Sequence, residues 1–134
     1  MRIASILCCC VLCAHCISAG EAVMDVKPRR LVLSVDSSDF VSARIKVLNR
    51  GGTPITITKI DPSCACGSAT ILKNPVQPLD VAELALRVNT INMHDTLNTV
   101  EFSIESNAEN SPYVVSVQVK KPRHRNDTVP GSHP

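Results

Sequence analysis

Apolar and polar side chains alternate in short runs along most of this chain, from about residue 28 to residue 120. Successive side chains of a β-strand point to opposite faces, so this period of two predicts strands with one buried face each. Val, Ile and Thr are frequent in the runs and favour a pleated sheet over a helix. Gly, Pro, Asn and Asp separate the runs and are typical of turns. The pattern therefore indicates an all-β fold.

The alternation predicts about seven short strands. The side chains expected on their inner faces are Leu31, Leu33, Val35, Val41, Ala43, Ile45, Val47, Ile55, Ile57, Ala82, Leu84, Leu86, Val88, Val100, Phe102, Ile104, Tyr113, Val115, Val117 and Val119. Because each strand has one apolar face, two sheets must cover each other, and we expect the strands to pair antiparallel. The predicted fold class is an immunoglobulin-like antiparallel β-sandwich over residues 28–120. It lacks the antibody-type cysteine pair and the central Trp, so aliphatic side chains must fill its core.

The alternation breaks in the middle of the chain. Its phase slips at Lys59-Ile60, which indicates a β-bulge or the end of a strand. We expect Asp61-Pro62-Ser63 to form a turn and residues 68–72 to form a short edge strand. Pro75 and Pro78 keep the next stretch irregular, because proline cannot donate a hydrogen bond to a sheet.

The first twenty residues have the order of a secretory signal peptide. Met1-Arg2 is positively charged, Ile3 to Cys16 is largely apolar, and small residues follow at Ser18, Ala19 and Gly20. We expect residues 1–19 to be removed, with cleavage after Gly20 as a close alternative. The other alternative is an uncleaved membrane anchor, although the apolar stretch is shorter than the ~20 residues of a spanning helix. The protein is thus expected to be exported, to the periplasm or the extracellular space, and to meet a membrane only through an uncleaved signal segment.

The seven cysteines fall into two groups. Five lie within the first 16 residues and would leave with the signal peptide. The other two are Cys64 and Cys66, so the mature chain can form at most one intramolecular disulfide.

The alternation does not continue into residues 121–134. This segment is rich in proline and basic side chains and has little apolar surface to offset the cost of ordering it. We expect residues 121–134 to be a disordered basic tail.

Charge and composition exclude several classes of function. The chain has 14 Lys plus Arg against 12 Asp plus Glu, two Phe, one Tyr and no Trp. Nucleic-acid binders usually carry a basic surface and aromatic side chains that stack on bases, so binding to nucleic acid is not expected. Neither a Gly-x-Ser-x-Gly elbow nor a glycine-rich phosphate loop is found. We therefore expect a protein that is not an enzyme and needs no cofactor.

Cys64-Ala65-Cys66 is the one motif whose side chains could react or bind a metal, and three interpretations stay open. The pair could form a structural disulfide, which adds little stability because so small a ring removes little chain entropy. It could bind a soft metal such as Cu(I) or exchange disulfides, since two thiolates one residue apart can reach one ion. It could also be two small residues without a function. Met93 and His94 are the nearest candidates for further ligands, and His94 is the candidate partner for a Cys-His dyad, but an exposed loop histidine is favoured.

The order of these elements resembles the bacterial domain of unknown function 1573 family. In that family an Asn-x-Gly turn follows one strand, an apolar strand leads to Ser-Cys-Gly-Cys, and a Pro-Gly turn comes later. Here Asn49-Arg50-Gly51, Ser63-Cys64-Ala65-Cys66 and Pro78-Leu79 stand in those places, with Ser106-Asn107 at the end of a later strand. Ala65 and Leu79 depart from the family's glycines. The resemblance covers residues 28–120 and implies a sandwich similar to major sperm protein and PapD-like domains, which mostly serve as binding modules.

We therefore expect an exported, non-enzymatic protein-interaction or structural module of the cell envelope. The expected partner is a protein that adds an extended strand to a free sheet edge. The alternative is a soft-metal or thiol-redox protein that works through Cys64 and Cys66.

Overall fold

The structure is a computed structural model that describes residues 20–122. The expected signal peptide and residues 123–134 of the expected tail lie outside the described residues. The described part consists of strands joined by turns and loops. The strands are β1 (Met24–Lys27), β2 (Arg30–Ser34), β3 (Phe40–Asn49), β4 (Ile57–Pro62), β5 (Gly67–Ile71), β6 (Val81–Asn89), β7 (Leu97–Ser106) and β8 (Tyr113–Lys120). Within residues 20–122 there is no helix with the length and apolar character to span a membrane.

The strands form two four-stranded sheets. Sheet A has the order β1-β3-β6-β5, and sheet B has the order β2-β8-β7-β4. The predicted all-β sandwich is confirmed, with eight strands where about seven were expected. The additional strand is β1, which lies before residue 28. Its four residues alternate correctly, but so short a run does not stand out in a sequence.

One pairing departs from the expected antiparallel pattern. β2 lies parallel to β8, with Leu31 opposite Val117, whereas the other five pairs are antiparallel. Only Pro28 and Arg29 separate β1 from β2. The chain therefore passes from the edge of sheet A to the edge of sheet B with little room to reverse its direction, and it enters sheet B beside β8 in parallel.

The inner faces of the two sheets enclose a single aliphatic core. Of the predicted inner-face side chains, Leu31, Leu33 and Ala43 are half-buried and all the others are buried. Met24 and Val26 of β1 complete the core. Burying an aliphatic side chain of this size contributes about 1.5–3 kcal/mol, so these contacts are the main stabilising force of the sandwich.

The middle of the chain confirms one expectation and corrects another. The register of β4 against β7 shifts between Ile57 and Lys59, which confirms the bulge. The turn predicted at Asp61-Pro62-Ser63 is wrong, because β4 continues to Pro62 and the chain turns only from Ser63. Proline is tolerated there because β4 is an edge strand. The expected edge strand at 68–72 is confirmed as β5.

Asn49, at the end of β3, organises the turn that follows it. Its buried side chain donates to the carbonyl oxygens of Thr53 and Val76 and accepts from the N–H of Gly51. A side chain at Gly51 would collide with the backbone of Glu21, since a Cβ there would lie 1.9 Å from the Glu21 oxygen. The Asn-x-Gly turn is thus packed directly against the segment that leads into β1.

Candidate functional site

The Cys-x-Cys motif lies in the turn that carries the chain from sheet B to sheet A. Ser63 fixes the start of this turn to β7: its N–H donates to the Glu101 oxygen at 2.7 Å, and its hydroxyl accepts from the Glu101 N–H at 3.0 Å. The N–H of Gly67 then donates to the Cys64 oxygen and closes the turn. The serine of the motif is therefore a structural anchor.

Gly67 ends the turn where the chain presses against the core. A Cβ atom at this position would lie 2.7 Å from Cβ of Pro62 and 3.1 Å from the ring of Phe102. Only glycine fits there without displacement of its neighbours, because both distances are below ordinary van der Waals contact. The close approach determines where β5 starts and where the cysteines lie.

The sulfurs of Cys64 and Cys66 form a close pair at bonding distance, as in a disulfide, and their Cα atoms are 5.1 Å apart. Both side chains are half-buried and pack against the edge of the core. The carbonyl oxygen of Cys66 accepts a hydrogen bond of 2.8 Å from the N–H of Asn89, at the end of β6. The motif is thereby held on both sides, by β7 through Ser63 and by β6 through Asn89.

The loop after β6 brings Met93 to the cysteines. A hollow of about 380 Å³ is lined by Cys64, Ala65, Cys66, Asn89, Asn92 and Met93. Of the two ligand candidates expected from sequence, Met93 lines this hollow and His94 does not. Met93 is half-buried against the core, whereas His94 is exposed. Sequence spacing alone could not indicate this neighbour, because the β5–β6 pairing brings the two loops together.

Lys121 holds the loop that carries Met93. Its ammonium group donates to the carbonyl oxygens of Thr90, at 3.0 Å, and Met93, at 2.8 Å, and its backbone N–H donates to the Thr96 oxygen. Lys121 thus connects the end of β8 to the loop that carries Met93.

β5 is an edge strand of sheet A and begins directly after the cysteines. Asn89 N–H bonds to the Cys66 oxygen and Leu72 N–H to the Glu83 oxygen, and the register of β5 against β6 is continuous between these bonds. Bonded pairs alternate in an antiparallel ladder, so Ser68 and Thr70 bond to β6. The backbone N–H and C=O groups of Ala69 and Ile71 therefore point away from β6, toward the open edge.

Two other edge strands are covered by asparagine side chains. The amide of Asn110 accepts from the N–H of Met24 at 3.0 Å and donates to its oxygen at 2.7 Å, as a neighbouring strand would. The amide of Asn74 does the same for Ile57 in β4, at 3.0 and 2.8 Å. Part of the edge at β1 and at β4 is thus already paired by the chain itself.

The fourth edge strand, β2, is protected by charge instead. It begins with Arg30 and is preceded by Pro28 and Arg29. Charged side chains and proline at an edge hinder pairing with another chain. β5, with the sequence Gly-Ser-Ala-Thr-Ile, contains neither a charged side chain nor a proline. Among the described edges, β5 is therefore the most open to an added strand.

The outer face beside β5 forms a shallow hollow of about 620 Å³. Its floor is Ala85 in β6, and the polar side chains around it are Ser42, Arg44, Ser68, Thr70 and Arg87. Arg44 forms an ion pair with Glu83 at 3.1 Å, and the guanidinium of Arg87 stacks 3.8 Å above the ring of Phe40. Small side chains leave space next to the edge strand, and the two arginines are held beside it.

Conventional metal clusters are absent from the described part of the chain: residues 20–122 contain no group of three or more His, Cys, Asp or Glu side chains arranged to hold an ion. The hollow beside the turn is lined by three sulfur-containing residues, Cys64, Cys66 and Met93, together with the amides of Asn89 and Asn92.

Solved structures share this architecture. A protein of unknown function from Porphyromonas gingivalis W83 is 17% identical with a TM-score of 0.67, and the match covers 76% of this chain and 48% of that one. The VesB protease of Vibrio cholerae is 13% identical with a TM-score of 0.51, over 75% of this chain and 31% of that one. This chain thus spans about half the length of the first protein and about a third of the second, and at such identities the likeness concerns the fold alone.

Sequence comparison gives a clearer result at the level of the family. None of the curated proteins matches this chain significantly. The family model described as "Protein of unknown function (DUF1573)" matches residues 32–120, which include the Cys-x-Cys turn and seven of the eight strands in whole or in part. The chain belongs to this family.

Proposed function

We propose that this protein is an exported, non-enzymatic binding module that captures an extended segment of a partner protein by strand addition at β5. The observation that carries the proposal is the open edge of sheet A. Ala69 and Ile71 direct backbone donors and acceptors away from β6, and the strand has none of the charges or prolines that usually block such an edge.

Contrast with the other edges supports β5 as the site. Asn110 and Asn74 pair with β1 and β4, and β2 begins with an arginine and follows Pro28 and Arg29. A partner strand beside β5 would gain main-chain hydrogen bonds. Its outward side chains would lie next to Ser68, Thr70 and Arg87, which favours polar or acidic residues in the bound segment.

Export is part of the proposal and is supported by the order of charged, apolar and small residues in the first twenty positions. Gly20 supports a cut after Ala19, since its carbonyl oxygen already accepts bonds from Gly52 and Thr53 of the folded domain. The intact mass of the protein secreted by its native host should correspond to a chain that starts at Gly20. A mass that retains residues 1–19 would contradict the export signal without touching the proposed edge.

The binding site is tested by placing a photoreactive amino acid at position 70, or at position 32 as a control on the edge of sheet B. We expect position 70 to cross-link a discrete partner in the producing cells and position 32 to give none. A synthetic peptide of the cross-linked segment should then bind the purified chain and slow hydrogen exchange at the Ala69 and Ile71 amides.

Two matched variants complete the test. Thr70→Glu places a negative charge beside the polar or acidic segment expected at this edge and should strongly weaken peptide binding, whereas Val32→Glu adds the same charge at the edge of sheet B and should leave binding unchanged. Equal binding by both variants, or protection of amides only outside β5, would exclude strand addition at this edge.

A further inference from the structure

We infer that the reduced Cys-x-Cys turn, together with Met93, forms a binding site for Cu(I). The proposal does not depend on strand addition at β5, because it rests on the hollow on the other side of the turn. Nothing in the family description assigns a metal to these residues.

Geometry is the first support. The sulfurs of Cys64 and Cys66 are close enough to bond to each other, so both thiolates of the reduced pair can reach one ion. Met93 lines the same hollow of about 380 Å³, which leaves room for an ion beside the two cysteines. Three sulfur-containing residues from two loops thus line one space.

The chemistry of the lining selects the metal. Thiolate and thioether sulfur are soft ligands that favour Cu(I), whereas Mg²⁺ and Ca²⁺ require oxygen ligands. A structural Zn²⁺ site takes four ligands, commonly Cys and His, and the lining contains two cysteines and no histidine. Cu(I) is therefore the ion that this set of donors fits.

Local charge favours the complex. One Cu(I) bound by two thiolates and a neutral thioether carries a net charge of −1. Arg87 lines a second hollow, of about 330 Å³, that also reaches Cys66 from the outer face of sheet A. Because Arg87 and Cys66 line the same hollow, the guanidinium offsets part of the negative charge.

The ligands are also held in place before any ion binds. Ser63 ties the turn to β7, and the bond from Asn89 to the Cys66 oxygen ties it to β6. Lys121 and the bond from Met93 N–H to the Thr90 oxygen fix the other loop. A site whose ligands are positioned by supporting hydrogen bonds loses less freedom on binding.

Binding requires the disulfide to be opened first. A dithiol reductant supplies two electrons and two protons to the Cys64–Cys66 bond and is itself oxidised to a disulfide. Each protein thiol then releases its proton as it binds Cu(I). Neither copper nor sulfur changes oxidation state in the binding step.

The test uses the exported chain that starts at Gly20, so that the five cysteines of residues 1–19 are absent. It is reduced with a dithiol, freed of the reductant without air, and titrated with Cu(I) alone against a chromophoric copper chelator. We expect one Cu(I) per chain and X-ray absorption that reports three sulfur neighbours. Cys64→Ser and Cys66→Ser should each abolish competition with the chelator. Met93→Leu, which conserves volume, should weaken it and reduce the sulfur neighbours to two.

His94→Ala is the matched control, because His94 is in the same loop but does not line the hollow. It should bind Cu(I) like the unmodified chain. Circular dichroism should show an unchanged sheet signal in every variant, so that a loss of copper reports a lost ligand. Failure of the reduced chain to compete for Cu(I) would overturn the inference, as would three sulfur neighbours in Met93→Leu.

Discussion

Leu79 is one of the two residues, with Ala65, at which the sequence departs from the glycines that the resemblance implies. It follows Pro78 in the turn from Gln77 to Asp80, which is closed by a bond from Asp80 N–H to the Gln77 oxygen. Its φ is 61°, and it is the one non-glycine residue in the described range with a positive φ. This value is typical of the third position of a type II turn, where glycine avoids the clash of a Cβ. The family's glycine at this place therefore has a physical reason.

Leu79→Gly should stabilise the protein. A non-glycine residue in the left-handed region costs about 1–2 kcal/mol, and the side chain of Leu79 is 89% exposed, so its removal loses almost no packing. The greater freedom of glycine in the unfolded chain offsets part of this gain, and we expect a net increase of up to about 1 kcal/mol in the free energy of unfolding. Urea unfolding of the purified chain measures it.

Leu79→Ala is the control for this prediction. It removes the exposed side chain but retains the Cβ, so it should leave the free energy of unfolding nearly unchanged. A gain as large as that of Leu79→Gly would mean that the exposed leucine, and not the backbone conformation, is the source of the cost.

Proline substitutions in β5 can test which of its backbone N–H groups bond to β6 and which face the open edge. β5 directs alternate N–H groups toward β6 and toward the open side. Ala69→Pro removes an outward donor that has no partner in β6, whereas Thr70→Pro removes a donor of the ladder and leaves a carbonyl of β6 unpaired. Proline is tolerated in sheets only where its nitrogen faces away from the neighbour.

We expect Thr70→Pro to lower the free energy of unfolding by about 2–3 kcal/mol and Ala69→Pro by about 1 kcal/mol or less. Chemical denaturation of the two variants under identical conditions gives the comparison. The opposite order would mean that Ala69, not Thr70, bonds to β6, and it would remove the structural basis of strand addition at β5.

Most strands could be predicted from sequence because their inner faces repeat over long runs. β6 alternates without interruption from Ala82 to Val88, and all four of its inner side chains are buried. β1 is too short for such a pattern, and the end of β4 at Pro62 could not be predicted because the tolerance for proline depends on whether a strand lies at an edge. The parallel pairing of β2 with β8 likewise could not be predicted, because it depends on how the chain crosses from sheet A to sheet B, and the alternation of side chains carries no information about that crossing.

The candidate site was predictable only in part for a similar reason. Cys64 and Cys66 are close in sequence and could be recognised as a pair. Met93 lies 27 positions after Cys66, and its place beside the pair follows from the register of β5 against β6. Sequence offered Met93 and His94 as candidate ligands and favoured an exposed loop position for His94, but only the folded loop places Met93 beside the cysteines.

At the scale of the whole molecule, ion pairs join segments that are distant in sequence. Asp25 in β1 accepts a hydrogen bond of 2.6 Å from Nε of Arg50, in the turn after β3. This bond, together with the positive charges of Arg50 and Lys27, lowers the pKa of Asp25, although partial burial acts in the opposite direction. Asp25 therefore helps to hold the first strand on the sandwich.

The lowered pKa predicts a loss of stability in acid. A carboxyl group whose folded pKa lies below its unfolded value of about 3.9 stabilises the fold above that pH, and the contribution disappears as pH falls through the folded pKa. Asp25→Asn should therefore be less stable than the unmodified chain at pH 7, and the difference should shrink below about pH 4. Thermal unfolding across this range measures it.

Arg50→Gln provides the background in which this prediction is controlled. Asp25→Asn should have little further effect in that background, because the two side chains act through one contact. If the stability difference between the unmodified chain and the Asp25→Asn variant stayed constant from pH 7 to pH 2, the contact could not be assigned to the ionised carboxylate.

The asparagine side chain that pairs with β1 also exposes the molecule to chemical ageing. Deamidation would turn the amide of Asn110 into a carboxylate, which can accept the N–H of Met24 but can no longer donate to its oxygen. Two acceptors would then face each other at an edge that had been closed. Slow hydrolysis of a single amide would thus uncover a strand edge, and the older molecules in a population would be the first to self-associate.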